Sequence, residues 1–298
     1  MSRDPFPHQP DIDTRTRPAP VPVRGECDLG RSSGEPTVPA RDDHEIPGLD
    51  DSVRACFLGE RAYLLRESEF STLVEIGKFR VINLKDLVQF DYAGDAKRLN
   101  RDVRHLTQQE LIAVKSIEGV GKKTESALVL TKKAQHLLLG SGRLPEGQAI
   151  YHRLVNLREL RHDATLYRVY QREWARIAGT GGKPVRVVLD YELKRNLYRE
   201  LARLGDQSQN REVREQVAEK QGLVIVNDQI QVPDFRLEYQ TADFEPRHID
   251  LELATRNYRP QALTQKAKAG FSIYARREDA SKLLRMLDES LTARIFTL

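Results

Sequence analysis

Apolar positions change their spacing several times along the chain, and each change marks a new element. Phe70, Leu73, Val74 and Ile76 recur at near-helical spacing and predict a first helix over Glu67 to Gly77. Leu84 to Phe90 makes a short second helix, ended by Asp91-Tyr-Ala-Gly94. A third runs from Asp95 to His105, where Asp95 is a good N-cap and Ala96, Leu99, Val103 and Leu106 form one stripe. The pattern then turns extended. Ile112 to Ile117 reads as a strand, Glu118 to Thr124 as a turn and Ser126 to Leu130 as a return strand, after which Thr131 caps a helix running through Leu138.

Leu139-Gly-Ser-Gly-Arg-Leu-Pro145 separates this block from a second one that begins near Ile150. There Leu154 to Leu160 and Asp163 to Ile177 read as helices, with Asp163 able to cap the second. Gly179-Thr-Gly-Gly-Lys-Pro184 breaks the chain before a buried strand, Val185 to Leu189, and a helix, Glu192 to Leu204. Val224 to Val226 and Gln229 to Tyr239 read as extended, with a turn at Asn227-Asp228. Ile249, Leu251 and Leu253 alternate with Asp250, Glu252 and Ala254, as on a half-buried strand. Pro260 opens a helix reaching Tyr274, and a helix from Glu278 to Leu291 precedes a last strand, Ala293 to Leu298. The predicted fold class is α/β (α+β): a winged helix-turn-helix followed by an α/β sandwich. No internal repeat is present.

A length of 298 residues suits about two domains. With 39% apolar and 31% charged residues, a sizeable core is allowed and wholesale disorder excluded. No window approaches the ~18 apolar residues of a membrane span, and Met1 to Leu29 lacks the apolar centre of a signal peptide. Cys27 and Cys56 cannot make a disulfide framework or a cysteine zinc site. The expected location is cytoplasmic, with no membrane partner. Nine of the fourteen prolines fall within Pro5 to Pro47, so residues 1–52 are expected to form a disordered acidic tail, a solubilising leader or a competitor of DNA. The expected units are thus the tail, residues 53–142 and residues 150–298. The net charge of +4 splits into −5 over residues 1–52 and +9 over the remainder, which suggests a polyanionic partner.

The third helix sharpens that suggestion. Lys97, Arg98, Arg101, Arg104 and His105 fall on the face opposite its apolar stripe, as a helix lying in a DNA major groove requires. A solvated basic face is the plain alternative. Lys122 and Lys123 sit at the tip of the following hairpin, where a wing would meet backbone phosphates. A P-loop is excluded, because Ser116 stands at the first glycine position and Lys123 follows Lys122. Ile117 to Thr124 also has the form of a helix-hairpin-helix, although Glu125 stands where that motif buries an alanine. Both forms bind DNA. With six contacts, from Lys97, Arg98, Arg101, Arg104, Lys122 and Lys123, log affinity should fall against log salt with a slope of about −5.

In the second block Val232-Pro-Asp234 opens one strand and Asp250-Leu-Glu252 lies on the next, with both acids of the latter on one face. Adjacent strands bring Asp234 and Glu252 together, and such oxygen ligands suit Mg²⁺ or Mn²⁺. This arrangement resembles the PD-(D/E)XK nuclease superfamily, a restriction-endonuclease-like fold. Ala254 stands where that family has its lysine; Lys266 on the following helix is the replacement candidate, Lys268 a poorer one, and Glu192 a further acid. The catalytic candidates are therefore Asp234, Glu252 and Lys266, the first two also as metal ligands. An ordinary α/β domain with acids on its wet face is the plain alternative. His162-Asp163 is either a base pair or a helix cap with a satisfied histidine, and Tyr258 and Tyr274 read as packing residues.

The combined order resembles the replication-relaxation family of plasmids and integrative elements. The likeness rests on Leu128-Val-Leu-Thr-Lys-Lys-Ala-Gln-His-Leu-Leu138, His162-Asp163, Val232-Pro-Asp234 and Ile249-Asp-Leu-Glu-Leu-Ala-Thr255, then Lys266 and Tyr274, across about residues 67–275. It implies a double-stranded-DNA-binding accessory of mobile-element replication or DNA relaxation, working with other proteins of that process on a nuclease-like scaffold whose active site is variant or degraded. The alternatives are a metal-dependent endonuclease or nickase using Asp234 and Glu252, and a winged-helix regulator of transfer genes. A homodimer is open.

Overall fold

The computed structural model describes residues 52–118, 124–152, 159–255, 258–285, 292 and 294–298. The expected tail, the turn carrying Lys122 and Lys123, and most of the helix expected over Leu154 to Leu160 lie outside the described residues. The fold is mixed α/β. Among the described residues no helix is long and apolar enough to cross a membrane.

A hairpin of β1 (Val53–Leu58) and β2 (Arg61–Arg66) leads into α1 (Glu67–Phe79), β3 (Val81–Asn83), α2 (Leu84–Phe90) and α3 (Ala96–Gln108). The antiparallel pair β4 (Ile112–Glu118) and β5 (Thr124–Leu130) follows, then α4 (Lys132–Gly140). β5 lies between β3 and β4, so the short strand before α2 closes a three-stranded sheet. Local capping sets these boundaries. The Asn83 side chain accepts the Lys85 N–H at 2.9 Å, Asp95 accepts that of Arg98 at 2.9 Å, and Thr131 accepts that of Ala134 at 3.3 Å.

The stripe of α3 differs from expectation at two places. Leu99 and Leu106 are buried, but Ala96 is exposed because the first helical residue lies beyond the edge of the core. Between the two leucines Asp102 is wholly buried. Its carboxylate accepts from Ser68 Oγ at 2.6 Å, Tyr92 OH at 3.1 Å and Arg101 Nε at 2.9 Å, with Arg66 at 3.6 Å. Glu69, in the first turn of α1, is likewise buried against Arg66 and His105, at 2.7 and 2.6 Å. Charged hydrogen bonds therefore fix α3 on α1 where apolar packing alone would let it slide.

The second block begins with α5 (Leu160–Gly179), β6 (Lys183–Leu189) and α6 (Asp190–Leu204), followed by a short 3₁₀ turn (Gly205–Gln209) and α7 (Arg211–Lys220). β7 (Val224–Val226) and β8 (Gln229–Gln231) form a hairpin. Its turn residues Asn227 and Asp228 both take positive φ, 47° and 66°, as a tight two-residue hairpin demands. β9 (Phe235–Gln240), β10 (Pro246–Ala254), α8 (Pro260–Lys268), β11 (Ser272–Ala275), α9 (Arg277–Leu284) and β12 (Ile295–Thr297) complete the chain. The large sheet has the order β12-β11-β10-β9-β6; β9 is antiparallel to its neighbours, while β10, β11 and β12 run parallel.

Three expectations are corrected. The helix from Pro260 stops at Lys268 rather than Tyr274, because Gly270 turns the chain at φ 93° and the buried run Ser272–Ala275 becomes an inner strand. Gln229 to Tyr239 is two strands in different sheets, parted at Val232-Pro-Asp234. Asp163 is no cap, since α5 already starts at Leu160.

Alternation along β10 and β11 sorts the two faces of the large sheet. Leu251, Leu253 and Tyr274 join the main core under α5, whereas Ala254, Ile273 and Ala275 pack beneath α8 and α9 with Leu263, Ala267 and Leu283. The main core is continuous across both blocks. Phe79 at the end of α1 meets Tyr167 and Tyr170 of α5 at ring separations of 5.3 and 5.1 Å, and Phe235 of β9 at 6.1 Å. Asp86 and Asp91, at the two ends of α2, hold Arg168 and the Tyr167 hydroxyl of the same helix.

Replacing Asp102 with Ala should destabilise the fold by about 3 kcal/mol in urea unfolding, since Arg66, Ser68 and Tyr92 lose a buried partner. A Leu99→Ala change beside it should cost about 2–5 kcal/mol through its cavity alone.

Candidate functional site

At the ends of β9 and β10 the chain gathers two carboxylates, an imidazole, an ammonium and a phenol. Asp234 precedes β9 and Glu252 lies within β10, on the face away from α5's packing side. The two touch through the backbone: the Asp234 N–H donates to Glu252 Oε2 at 3.2 Å, and Asp234 Oδ2 accepts the Leu253 N–H at 2.8 Å. Lys266 reaches in from α8. Its Nζ stands 3.2 Å from Glu252 Oε2 and also donates to the Val232 carbonyl. An ammonium is thus present beside Glu252, supplied by Lys266 of α8. Lys268 points outward and is exposed.

His162, in the first turn of α5, closes the other side. Its Nε2 lies 3.2 Å from Asp234 Oδ2 and its Nδ1 3.5 Å from Asp163 Oδ1. Asp163 is in turn 3.7 Å from Arg80, the residue that ends α1. The Tyr258 hydroxyl donates to the remaining Glu252 oxygen, Oε1. His162 was visible as a possible base, but its pairing with Asp234 was not, since nothing local links α5 to the start of β9. Tyr258, expected as a packing residue, is thereby corrected to a partner of Glu252, and Arg80 had no legible role. Glu192 is corrected as a further acid: it sits buried in the first turn of α6, held by Arg186 and by the Tyr151 hydroxyl at 3.2 Å. Tyr274 is a packing residue that donates to the buried Glu173 at 2.6 Å.

This charge arrangement moves the titrations apart. Burial opposes protonation of His162, but the Asp163 and Asp234 carboxylates outweigh it and push its pKa up to about 10. Burial would raise Asp234, yet His162 and the Leu253 N–H hold it below the ordinary range. Glu252 is pushed up to about 7, first by burial and then by the negative charge of Asp234, against the pull of Lys266. The centre therefore holds a strong anion, an imidazolium and a carboxyl poised near neutrality.

Oxygen donors of this kind suit a hard divalent cation. Among the described residues, however, no group of three or more His, Cys, Asp or Glu is arranged to hold an ion. The facing carboxylate oxygens are already bonded to His162, Lys266 and Tyr258. An ion ligated through those oxygens competes with these head groups for them.

Along α3, Lys97, Arg101 and Arg104 are exposed and Arg98 is half-buried. Arg101 keeps its side chain 42% exposed while its Nε holds Asp102. His105 turns away from the basic face to bond Glu69 and Gln109. No protein-family model, curated protein or solved structure matches the chain.

Because the folded-state pKa of His162 is raised, its contribution to stability is complete below pH 6.5 and is lost as pH rises through about 10. Glu252, also raised, gives an earlier decline between pH 4.5 and about 7. Urea midpoints measured from pH 4 to pH 10 should show both declines, with His162→Gln removing the upper and Glu252→Gln the lower.

Proposed function

We propose that the protein binds duplex DNA through α3, as an accessory of mobile-element replication or DNA relaxation, and that its second block is a nuclease-like scaffold. One observation carries the DNA-binding part. α3 buries Leu99, Asp102 and Leu106 against its neighbours while Lys97, Arg101 and Arg104 stand outward in one row. The order of α1, β3, α2, α3, β4 and β5, with β3 paired to β5, supports a winged-helix unit in which that row enters the major groove. The buried hydrogen bonds of Asp102 and Glu69 hold the row rigid against α1, so little ordering remains to be done on binding. The assignment to mobile elements draws on the motif likeness alone.

A second reading is favoured by one contact, that of Lys266 with Glu252. Asp234, Glu252 and Lys266 then form a variant nuclease site. Mg²⁺ or Mn²⁺, when bound by the two carboxylates, supplies water activation and charge stabilisation for phosphoryl transfer. Lys266, beside Glu252, would hold negative charge on the phosphate.

Duplex binding measured by fluorescence anisotropy at increasing salt should give a steep negative slope. In Lys97→Ala/Arg101→Ala/Arg104→Ala the affinity should drop and the slope should flatten by about 3. A wild-type slope near zero defeats the proposal. For the second reading, supercoiled DNA with Mg²⁺ or Mn²⁺ should be nicked by the wild type and left intact by Asp234→Ala and Glu252→Ala; intact DNA with the wild type leaves a binding protein only.

A further inference from the structure

The exposed side of α6 is neither part of the DNA-binding row nor part of the carboxylate centre. Tyr191 and Tyr198 stand on it two turns apart, 48% and 39% exposed. At 100° per residue they fall within about 20° of each other, with Lys194 to one side and Arg195 and Arg199 to the other. The helix rise separates the two rings by about 10 Å along the axis. The acids of the helix lie elsewhere or are engaged: Glu192 is buried against Arg186, Asp190 pairs with Lys194 at 2.8 Å, and Glu200 pairs with Lys220 at 2.8 Å.

The upper ring is held in place. Tyr191 meets the Tyr151 ring edge-on at 6.4 Å, and the Arg80 guanidinium lies 5.6 Å from its centroid. Arg80 is also the partner of Asp163, beside His162. The start of α6 is fixed to the same centre, because the Asp190 N–H donates to the Asp234 carbonyl at 2.9 Å. The stripe therefore begins next to Asp234 and leads away from it.

Exposed aromatic faces beside arginines are what unpaired bases and their phosphates require. A second copy of the chain would bring the same arginines against this face, and that like charge opposes self-association through it. We infer that the Tyr191–Tyr198 face of α6 is a binding track for single-stranded nucleic acid, with the rings stacking bases and Arg195 and Arg199 contacting the backbone. The track is separate from duplex binding by α3 and does not depend on it.

Anisotropy with a labelled mixed-sequence 20-mer, as DNA and as RNA, tests this beside a blunt duplex of the same sequence. Single strands should bind at low salt; tighter binding of the DNA or of the RNA identifies the source. Tyr191→Ala and Tyr198→Ala should each weaken single-strand binding about fivefold or more and leave duplex binding unchanged. Tyr191→Phe and Tyr198→Phe should retain it, and circular dichroism with thermal melting establishes that each variant is folded. Arg195→Gln/Arg199→Gln should flatten the single-strand salt slope by about 1.4. Lys97→Ala/Arg101→Ala/Arg104→Ala should spare single-strand binding. The inference is overturned if single strands do not bind, if folded tyrosine-to-alanine variants bind them unchanged, if the α3 variant alone abolishes their binding, or if the tyrosine variants alter only the mass measured by light scattering.

Discussion

Carboxylates withdrawn from water must be given cations or hydrogen-bond donors, and this requirement locates nearly every junction in the fold. Asp102 and Glu69 seat α3 on α1 through Arg66, Ser68, Tyr92 and His105. Asp86 seats α2 on α5 through Arg168, and Glu173 seats α5 on β11 through Tyr274. Glu192 ties α6 to β6 through Arg186, while Glu252 ties β10 to α8 through Lys266. Apolar burial supplies the drive to compact; these acids choose among the compact arrangements, because a shifted helix would leave a buried charge alone.

α5 is where the two blocks become one body. Its first turn holds Asp234, its middle carries Tyr167 and Arg168 against α2, and its aromatic side meets Phe79 and Phe235. The sequence divides visibly at Leu139 to Pro145, yet the core does not divide there. A linker rich in glycine and proline reports where the chain turns, and says little about whether the flanking segments share an interior.

What was legible in the sequence was local. Asp95 and Thr131 marked helix starts because a cap acts within three residues, and the strands β4 and β5 followed from two extended runs on either side of a glycine-containing turn. β11 was not legible, because the short apolar run from Phe271 to Ala275 has the same appearance in a buried strand as at the end of a helix. α7 escaped because it buries only Val217 and Ala218. For the candidate centre, Asp234 and Glu252 were found by motif, and Lys266 by its place on the next helix. The Asp234 contacts of His162 and the support of Arg80 behind Asp163 join distant segments, and no periodicity records them.

The four ionic groups of the centre also determine how it appears from outside. Two carboxylates alone would surround themselves with a negative potential and repel a passing phosphodiester. With imidazolium and ammonium interleaved at 3.2 Å, the group is close to electrically neutral a few ångströms away. A nucleic-acid strand led along the neighbouring arginines would therefore meet no toll of like charge at the point where the acids lie.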